Sequence, residues 1–262
     1  MITVGDINMG YRIYGEGDPL ILIMGYGSTM DLWEDRLIQS FAKDYQVIIF
    51  DNRGMGETSA GEKDFSIEQF AEDTYGLMES LNLKSAHVLG WSMGSYIAQE
   101  LVIKYPEKFN KLVLYATTCD PSMYPPAAEV MTILSDPSGT PEDQGARWIR
   151  LLFPADWLIN HSQRIKEIFY RPLGLINPEN IEKQSLAIEK WPGTCSQLTS
   201  LFHNTLLITG ADDVLVPAEN SDYMASKITN SKLAKIPGAG HGLMFQSPEQ
   251  FTATVCEFLI SP

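Results

Sequence analysis

Six short apolar runs recur along the chain, and each is bounded by a change to glycine, proline, alanine or polar residues. They are residues 20–24, 46–50, 86–89, 111–115, 205–209 and 233–236. Runs of this length are typical of strands buried on both faces, which belong to a parallel sheet covered by helices. The opening segment, residues 2–14, alternates more and predicts an antiparallel edge hairpin.

Helical patterns fill the gaps between these runs. Ser66, followed three residues later by Gln69, forms a capping box that predicts a helix start before an apolar stripe. A second stripe covers residues 96–105. Near the end of the chain, Ser247 has the place of an N-cap and Pro248 that of the first helical residue. The alternation of strand and helix predicts an α/β fold with a doubly wound, mostly parallel sheet.

One long stretch, residues 118–202, breaks the alternation because it contains no strand-like run. It is rich in proline and holds three of the five tryptophans, among them Trp148 and Trp157. Its own helical patterns and aromatic residues predict a helical lid over one edge of the sheet. The alternative is a helical decoration that only stabilises the core. We therefore expect a core of residues 1–117 and 203–262, with the lid at 118–202.

The net charge argues against anionic partners. The 262 residues carry 33 acidic and 19 basic side chains, a formal net charge of −14. This charge repels phosphate backbones and anionic membrane surfaces, so neither nucleic acid nor a membrane is an expected partner. No apolar run approaches the length of a membrane span, and the N-terminus lacks a signal-peptide pattern. We expect a cytoplasmic protein.

The three cysteines, Cys119, Cys195 and Cys256, lie far apart and have no CxxC spacing. An odd number with this spacing fits neither a zinc site nor a disulfide framework, and it suits a reducing compartment. We therefore expect three small, buried hydrophobic side chains.

The sharpest local signal is Gly90-Trp91-Ser92-Met93-Gly94, which directly follows a predicted strand and precedes a predicted helix. A serine in a tight strand-to-helix turn has its hydroxyl pushed clear of the backbone, and glycines on both sides prevent clashes. The motif alone is a modest signal, and its position between strand and helix strengthens it. Ser92 is therefore the candidate nucleophile. A serine that only caps the helix is the alternative.

A serine nucleophile requires a base, and the chain has four histidines. His241 lies in a glycine-rich loop after the run at 233–236, at the edge where open α/β sheets have their active sites. His87 lies inside a predicted strand, and the surroundings of His161 and His203 are typical of structural or solvated residues. His241 is the candidate base.

The base in turn needs an acid that orients it. Asp212 and Asp213 follow the run at 205–209 at the same edge, and we choose Asp213. Asp212, which could position the turn, and Asp120, just past residues 111–115, are the alternatives. The order serine, aspartate, histidine along the chain is the one expected of this triad on an α/β sheet.

A developing oxyanion needs fixed N–H donors. The first expected donor is the backbone N–H of Met93, at the start of the helix after Ser92, where the helix dipole also helps. The second should come from the loop Gly25-Tyr26-Gly27-Ser28, and we favour the N–H of Tyr26. The alternative for this loop is a plain glycine turn.

The sequence resembles the α/β-hydrolase superfamily over nearly its whole length. The residues that carry the resemblance are Tyr14-Gly-Glu-Gly, the run and loop at 20–25, Asp51-Asn-Arg-Gly-Met-Gly56, the turn at Ser92, Gly210-x-x-Asp213 and Gly240-His241. The family's first loop often reads His-Gly, whereas Met24 stands at that place here. In the family's Asp-x-Arg-Gly turn the role of Asp51 and Arg53 is mostly structural. The nearest likeness is to lid-bearing esterases and lactonases, including the enol-lactonase and antibiotic methylesterase groups.

This resemblance and the residues above predict a serine hydrolase that needs neither cofactor nor metal. Its substrates would be small to medium, partly apolar esters, thioesters or lactones, cleaved through an acyl-enzyme. Trp148, Phe153 and Trp157 are expected to line the substrate site, and Arg147 or Arg150 could receive an anionic group. Ser92 argues against dehalogenases and epoxide hydrolases, which have aspartate there, and against dienelactone hydrolases, which have cysteine.

Three alternatives remain open. A carbon–carbon bond hydrolase and a perhydrolase could use the same triad, and a ligand-binding protein could keep the scaffold without catalysis. A homo-oligomer is compatible with the sequence.

Overall fold

A computed structural model of the chain describes residues 1–169, 174 and 176–261. Its strands form two sheets. The small sheet pairs β1 (Ile2–Val4) with β2 (Ile7–Met9). The large sheet contains β3 (Tyr11–Tyr14), β4 (Asp18–Ile23), β5 (Tyr45–Phe50), β6 (Ala86–Trp91), β7 (Phe109–Tyr115), β8 (Asn204–Gly210) and β9 (Ser231–Ile236).

The strand order of the large sheet is β3-β5-β4-β6-β7-β8-β9. β3 runs antiparallel to β5 at one edge, and all other neighbours are parallel. The prediction of a mostly parallel sheet with an antiparallel N-terminal edge is thereby confirmed. The predicted edge hairpin divides in two, because residues 2–9 pair with themselves and only β3 joins the large sheet.

Helices and short 3-10 turns connect the strands. The helices are α1 (Asp35–Phe41), α2 (Ile67–Ser80), α3 (Met93–Lys104), α4 (Ala128–Leu134), α5 (Pro141–Leu152), α6 (Ala155–Asn160), α7 (Ser162–Phe169), α8 (Pro178–Lys190), α9 (Glu219–Lys227), α10 (Leu243–Gln246) and α11 (Pro248–Ile260). The 3-10 turns are Met30–Leu32, Pro106–Lys108 and Cys195–Ser200. Across the described ranges, no helix combines the length and apolar character needed to cross a membrane.

The core lies on both faces of the large sheet because successive strand residues point to opposite sides. On β4, Ile21 and Ile23 pack in one buried cluster with residues of α2 and α3. Leu20 and Leu22 pack in a second cluster with residues of α1 and α11. Continuous apolar runs are therefore needed along the central strands. The edge strand β9 departs from the prediction, since Leu233 is 39% exposed there.

Two helix starts differ in detail from the predicted caps. Ser66 Oγ accepts a hydrogen bond from the N–H of Gln69 over 3.0 Å, but the side chain of Gln69 donates to Asp73 instead of returning to Ser66. Ser247 occupies the N-cap position of α11 without a capping bond from its side chain. Both helices are held by their buried apolar faces, so a complete capping box is not required.

Residues 118–202, called the helical insertion below, connect β7 to β8 and contain α4 to α8 in their described part. Tyr170, Arg171, Pro172, Leu173 and Leu175, which fall in this range, lie outside the described residues. The insertion is hydrogen-bonded to the rest of the molecule at the turn after β5 and at α3. Asn180 Nδ2 donates to the carbonyl of Gly54 over 2.7 Å, and Trp191 Nε1 donates to Glu100 over 2.7 Å.

The prediction that the cysteines form no bridge is wrong. Cys119 and Cys195 form a disulfide whose Cα atoms are 4.9 Å apart, and Cys256 is free. The two bridged residues are 76 positions apart in the sequence, but the insertion returns to its starting point. The N–H of Thr194 donates to the carbonyl of Cys119 over 2.8 Å, so the backbones already meet there. The spacing of the cysteines in the sequence does not show that the chain comes back to this point.

The turn after β5 has the structural contacts expected of its Asp-x-Arg-Gly pattern. Arg53 is fully buried and donates to both carboxylate oxygens of Asp73 and of Asp6. Burial lowers the pKa of Arg53, but the bonds to the two carboxylates outweigh it and raise the pKa above its ordinary value. Burial also raises the pKa of Asp51 to about 6, although its oxygens accept the amides of Glu57 and Met30.

Candidate active site

The predicted triad residues and the predicted oxyanion donors lie at the carboxyl edge of the large sheet. Tyr26 follows β4, Ser92 follows β6, Asp213 follows β8 and His241 follows β9. Because parallel strands end at the same edge, four loops that are distant in the sequence meet there.

Ser92 occupies a strained turn between β6 and α3. Its φ of 55° and ψ of −123° are rare for a residue with a side chain. The turn requires small neighbours, since a Cβ on Gly90 would overlap the carbonyl of Gly94. Two backbone bonds hold the turn, from the N–H of Ser92 to the carbonyl of Tyr115 at 2.9 Å and from the N–H of Ser95 to the carbonyl of Ser92 at 2.7 Å.

His241 and Asp213 form a buried pair. Nδ1 of His241 lies 2.8 Å from Oδ2 of Asp213, and the two residues are 4% and 5% exposed. The other carboxylate oxygen, Oδ1, accepts the N–H groups of Leu215 and Val216 at 2.9 Å each, which fixes the carboxylate. With Nδ1 donating to the carboxylate, Nε2 of a neutral imidazole is left to accept a proton.

Ser92 and His241 line the same cavity. Among the described residues no hydrogen bond joins Ser92 Oγ to His241, and such catalytic contacts are often long before substrate binds. The ring of Trp91 lies beside the imidazole, with centroids 5.7 Å apart. The hydroxyl of Tyr115 donates to the carbonyl of His241 over 2.5 Å, which holds the loop after β9.

The two predicted oxyanion donors flank this serine. Met93 is the first residue of α3, so its N–H has no acceptor within the helix. The loop after β4 passes close to Ser92, because a Cβ on Gly25 would lie 3.3 Å from Ser92 Cβ. The next amide, that of Gly27, donates to Gln184 Oε1 over 2.9 Å. In the described part of the chain the N–H of Tyr26 has no such acceptor.

The cavity has a volume of about 700 Å³ and a mostly apolar lining from the helical insertion and the sheet edge. Trp148 lines it, and its ring lies 5.9 Å from that of Tyr26. The prediction for Phe153 and Trp157 is corrected, because neither side chain is part of the lining. Phe153 stacks on Trp157 with centroids 4.6 Å apart and packs behind the cavity against Phe245.

The alternative acid candidates have other surroundings. Asp212 is exposed, and its N–H donates to the carbonyl of Ala239. Asp120 Oδ1 accepts the N–H and hydroxyl of Ser122. Arg147 is held by Asp136 and the carbonyl of Ser138, and it is not part of the described lining. Arg150 is exposed and also lies outside the described lining.

The other three histidines make structural contacts. His203 Nε2 lies 2.8 Å from the carbonyl of Pro106, and His161 Nδ1 lies 2.8 Å from the carbonyl of Trp157. His87 is buried on β6, and this burial lowers its pKa. No group of three or more histidine, cysteine or acidic side chains within the described ranges is arranged to hold a metal ion.

Three supporting residues were missed from the sequence. They are Gln184, Tyr115 and Asn52. Gln184 Oε1 accepts a hydrogen bond from the N–H of Gly27, and the hydroxyl of Tyr115 donates one to the carbonyl of His241. Asn52 Nδ2 donates to the buried carbonyl of Met24 over 3.0 Å. Gln184 and Tyr115 act across 157 and 126 positions of the chain. No local pattern marks such a contact, so only the folded chain reveals it.

Comparison with known proteins places the chain in a family. A family model described as alpha/beta hydrolase fold matches residues 18–248. The chain therefore belongs to the α/β-hydrolase fold family, and the resemblance found in the sequence is confirmed.

Three similar proteins illustrate the range of the family. "Putative carbamate hydrolase RutD" of Pseudomonas syringae is 27% identical over 94% of this chain and 95% of its own length. "Putative non-heme bromoperoxidase BpoC" of Mycobacterium tuberculosis is 29% identical over 97% of this chain and 98% of its own. The solved structure of a thermophilic esterase from Thermogutta terrifontis has a TM-score of 0.84 and 25% identity, covering 98% of this chain and 96% of that one.

Proposed function

We propose that this α/β-hydrolase is a serine hydrolase of carboxylic esters, thioesters or lactones, with Ser92, His241 and Asp213 as its triad. The observation that carries the proposal is the buried 2.8 Å contact between His241 Nδ1 and Asp213 Oδ2 beside the cavity that Ser92 also lines. A buried imidazole oriented by a fixed carboxylate is the arrangement that activates a serine hydroxyl.

In the proposed mechanism Ser92 Oγ attacks the acyl carbon while His241 Nε2 takes its proton. The carboxylate of Asp213 stabilises the imidazolium that forms. The amides of Tyr26 and Met93 donate to the oxyanion, which is the charge that develops in the transition state. His241 then protonates the leaving alcohol, thiol or lactone oxygen. A water molecule, deprotonated by His241, attacks the acyl-enzyme and releases the acid.

The helical insertion serves as a lid in this proposal. It supplies much of the lining, including Trp148, Met131 and Ile181, while the loops of the sheet edge supply the reacting groups. Because this lining is mostly apolar and includes neither Arg147 nor Arg150, it suits a neutral, partly apolar acyl or alcohol group. Glu142, at the cavity wall, adds a negative charge that disfavours anionic substrates.

The relatives support acyl chemistry and favour one second candidate. The names of two relatives refer to an esterase and to a carbamate hydrolase, and both esters and carbamates have a carbonyl that a serine attacks. The name bromoperoxidase makes perhydrolysis the second candidate. In that reaction hydrogen peroxide replaces water in the attack on the acyl-enzyme, so that a peracid leaves and Ser92 regains its proton.

The proposal is tested by covalent labelling together with turnover. A fluorophosphonate probe should label the wild-type protein and Ser80→Ala, which alters an exposed serine on α2, but not Ser92→Ala. A panel of 4-nitrophenyl esters of increasing acyl length should be hydrolysed by the same two proteins that are labelled. A folded wild-type protein that is neither labelled nor active on any ester would contradict the proposal and favour a ligand-binding protein. Adding hydrogen peroxide and detecting peracid tests the second candidate.

A further inference from the structure

Most buried polar side chains of the cavity wall are engaged with other protein groups. Thr118 Oγ1 donates to Asn220 Oδ1 over 2.7 Å. Asn220 Nδ2 donates to the carbonyls of Tyr124 and Pro217 over 2.9 and 3.1 Å. Since these groups already have partners, a substrate that bonds to them has to displace a protein contact.

The hydroxyl of Tyr96 differs from them. Tyr96 lines the cavity and is only 6% exposed, and its ring stacks on Trp191 with centroids 4.8 Å apart. Nevertheless, among the described residues its Oη has no hydrogen-bond partner. Trp91 Nε1 is also unpaired, but it is fully enclosed by protein atoms, whereas Tyr96 Oη is not. The free hydroxyl of Tyr96 therefore faces space that a ligand can reach.

The position of this hydroxyl relates it to the reacting serine. Tyr96 is the fourth residue of α3, the helix that begins directly after Ser92, and both residues line the same cavity. Burial raises the pKa of Tyr96, and the negative charge of Asp213 raises it further. The hydroxyl therefore keeps its proton at neutral pH and can act as a hydrogen-bond donor.

We propose that Tyr96 Oη donates a hydrogen bond to a second oxygen atom of the substrate, beyond the two oxygens of the cleaved ester. The preferred substrates then carry an ether, carbonyl or hydroxyl oxygen on the chain close to the scissile bond. A buried hydroxyl without a partner costs free energy, and a substrate acceptor recovers that cost where a methylene group cannot. This inference rests on the serine hydrolase function proposed above.

The test uses ester pairs that differ in one atom. In 4-nitrophenyl hexanoate, and in hexyl acetate for the alcohol side, an ether oxygen replaces the methylene group at C3, C4 or C5 of the six-carbon chain in turn, which leaves the ester itself unchanged. kcat/KM of every ester is measured for the wild-type protein and for Tyr96→Phe, which keeps the ring and its stacking on Trp191. Dividing the wild-type value by the variant value cancels the different intrinsic reactivity of the esters.

For at least one position of the oxygen, this quotient should exceed that of the all-carbon ester by about 3- to 10-fold, the usual range for one neutral hydrogen bond. Tyr223→Phe, which removes a hydroxyl outside the cavity lining, should give equal quotients for all esters. Equal quotients for Tyr96→Phe in both series, whether activity falls or not, would overturn the inference. If Ser92→Ala still turns over the same esters, the proposed function itself is wrong, so the two failures are distinguishable.

Discussion

The turns at the sheet edge and the helices of the insertion differ in how they are held. The helix α3, which follows Ser92, buries nine of its twelve residues, and the strand before it is buried throughout. Within the described ranges, α4 of the insertion, which lines the cavity with Met131 and Leu134, has one buried residue, Val130. The reacting groups therefore lie on the part of the molecule that is hardest to deform, and the cavity wall on the part that opens most easily.

We infer from this contrast that the residues that control the reaction rate and those that control substrate selectivity can be changed separately. Substitutions at the sheet edge should change rate or stability strongly, and substitutions in the insertion should mainly change which substrates fit. Five substitutions test whether the two regions differ in this way, and the first is expected to have the strongest consequence.

The largest effect is expected for Asp213→Asn. An amide at this position can donate to Nδ1 of His241, which favours the wrong tautomer and leaves Nε2 protonated. kcat on a 4-nitrophenyl ester should fall about 10³- to 10⁴-fold. Asp212→Asn, which alters the exposed neighbour, should retain kcat within about twofold, by the usual size of surface effects. Equal losses in both variants would show that Asp213 has no special role.

The second effect concerns stability. Asp73→Asn removes a charge from the buried pair with Arg53 and should lower the free energy of unfolding by about 3–5 kcal/mol. The comparable pair in the insertion, Arg147 with Asp136, is partly exposed, and Asp136→Asn should cost less than about 1 kcal/mol. Urea unfolding followed by circular dichroism measures both. If Asp136→Asn lost as much stability as Asp73→Asn, the two regions would not differ in how firmly they are held.

The disulfide should account for the third effect. It closes a loop of 76 positions that spans the insertion, and Cys195→Ser should lower the free energy of unfolding by about 2–4 kcal/mol under non-reducing conditions. Cys256→Ser serves as the control because Cys256 is free. With a phosphine reductant present, the wild-type protein should become as unstable as Cys195→Ser. Identical unfolding curves for the wild type and Cys195→Ser without reductant would contradict the bridge.

The fourth effect separates selectivity from stability inside the insertion. Trp148 lines the cavity and is 38% exposed, so Trp148→Ala should raise KM for long acyl esters about 10-fold, or 1.4 kcal/mol, with little loss of stability. Trp157 packs on Phe153 and His161 outside the cavity. Trp157→Ala should therefore cost about 1–3 kcal/mol of stability and leave the order of ester preference intact. If Trp157→Ala changed the order of ester preference and Trp148→Ala did not, Trp157 and not Trp148 would contact the substrate.

The smallest effect concerns pH. The bond from Arg53 holds the pKa of Asp6 well below its usual range, so the folded protein keeps this carboxylate ionised where the unfolded chain protonates it. The resulting stabilisation is complete above the ordinary carboxyl pKa of about 3.9 and is lost as the pH falls below it. Asp6→Asn should flatten the fall of the urea midpoint below about pH 4. Asp156→Asn, on exposed α6, should follow the wild-type curve.

The sheet and the location of the site were predictable because both depend on chain order. Apolar runs identified the central strands, and parallel strands bring the segments after them to one edge. Ser92, Asp213 and His241 could therefore be placed at the same edge before any contact was known. Leu233 was misjudged because an apolar run does not show whether a strand lies at the centre or the edge of a sheet.

The insertion was predictable as helical but not in its packing. A helical pattern shows which side of a helix is apolar, but not which neighbour covers it, so Phe153 and Trp157 were assigned to the cavity although they pack behind it. The Cys119–Cys195 bridge and the contact of Gln184 with Gly27 join positions that no local pattern relates. Such contacts depend on the path of the whole insertion.

The family, the strand–helix alternation and the candidate triad could be read from the amino-acid sequence, because they follow from short-range patterns and from the order of elements. The folded chain was needed to show which aromatic residues form the cavity wall, which cysteines pair and which hydroxyl remains available to a ligand. Burial and hydrogen-bond partnership depend on groups that are far apart in the chain, and these groups become neighbours only when the chain folds.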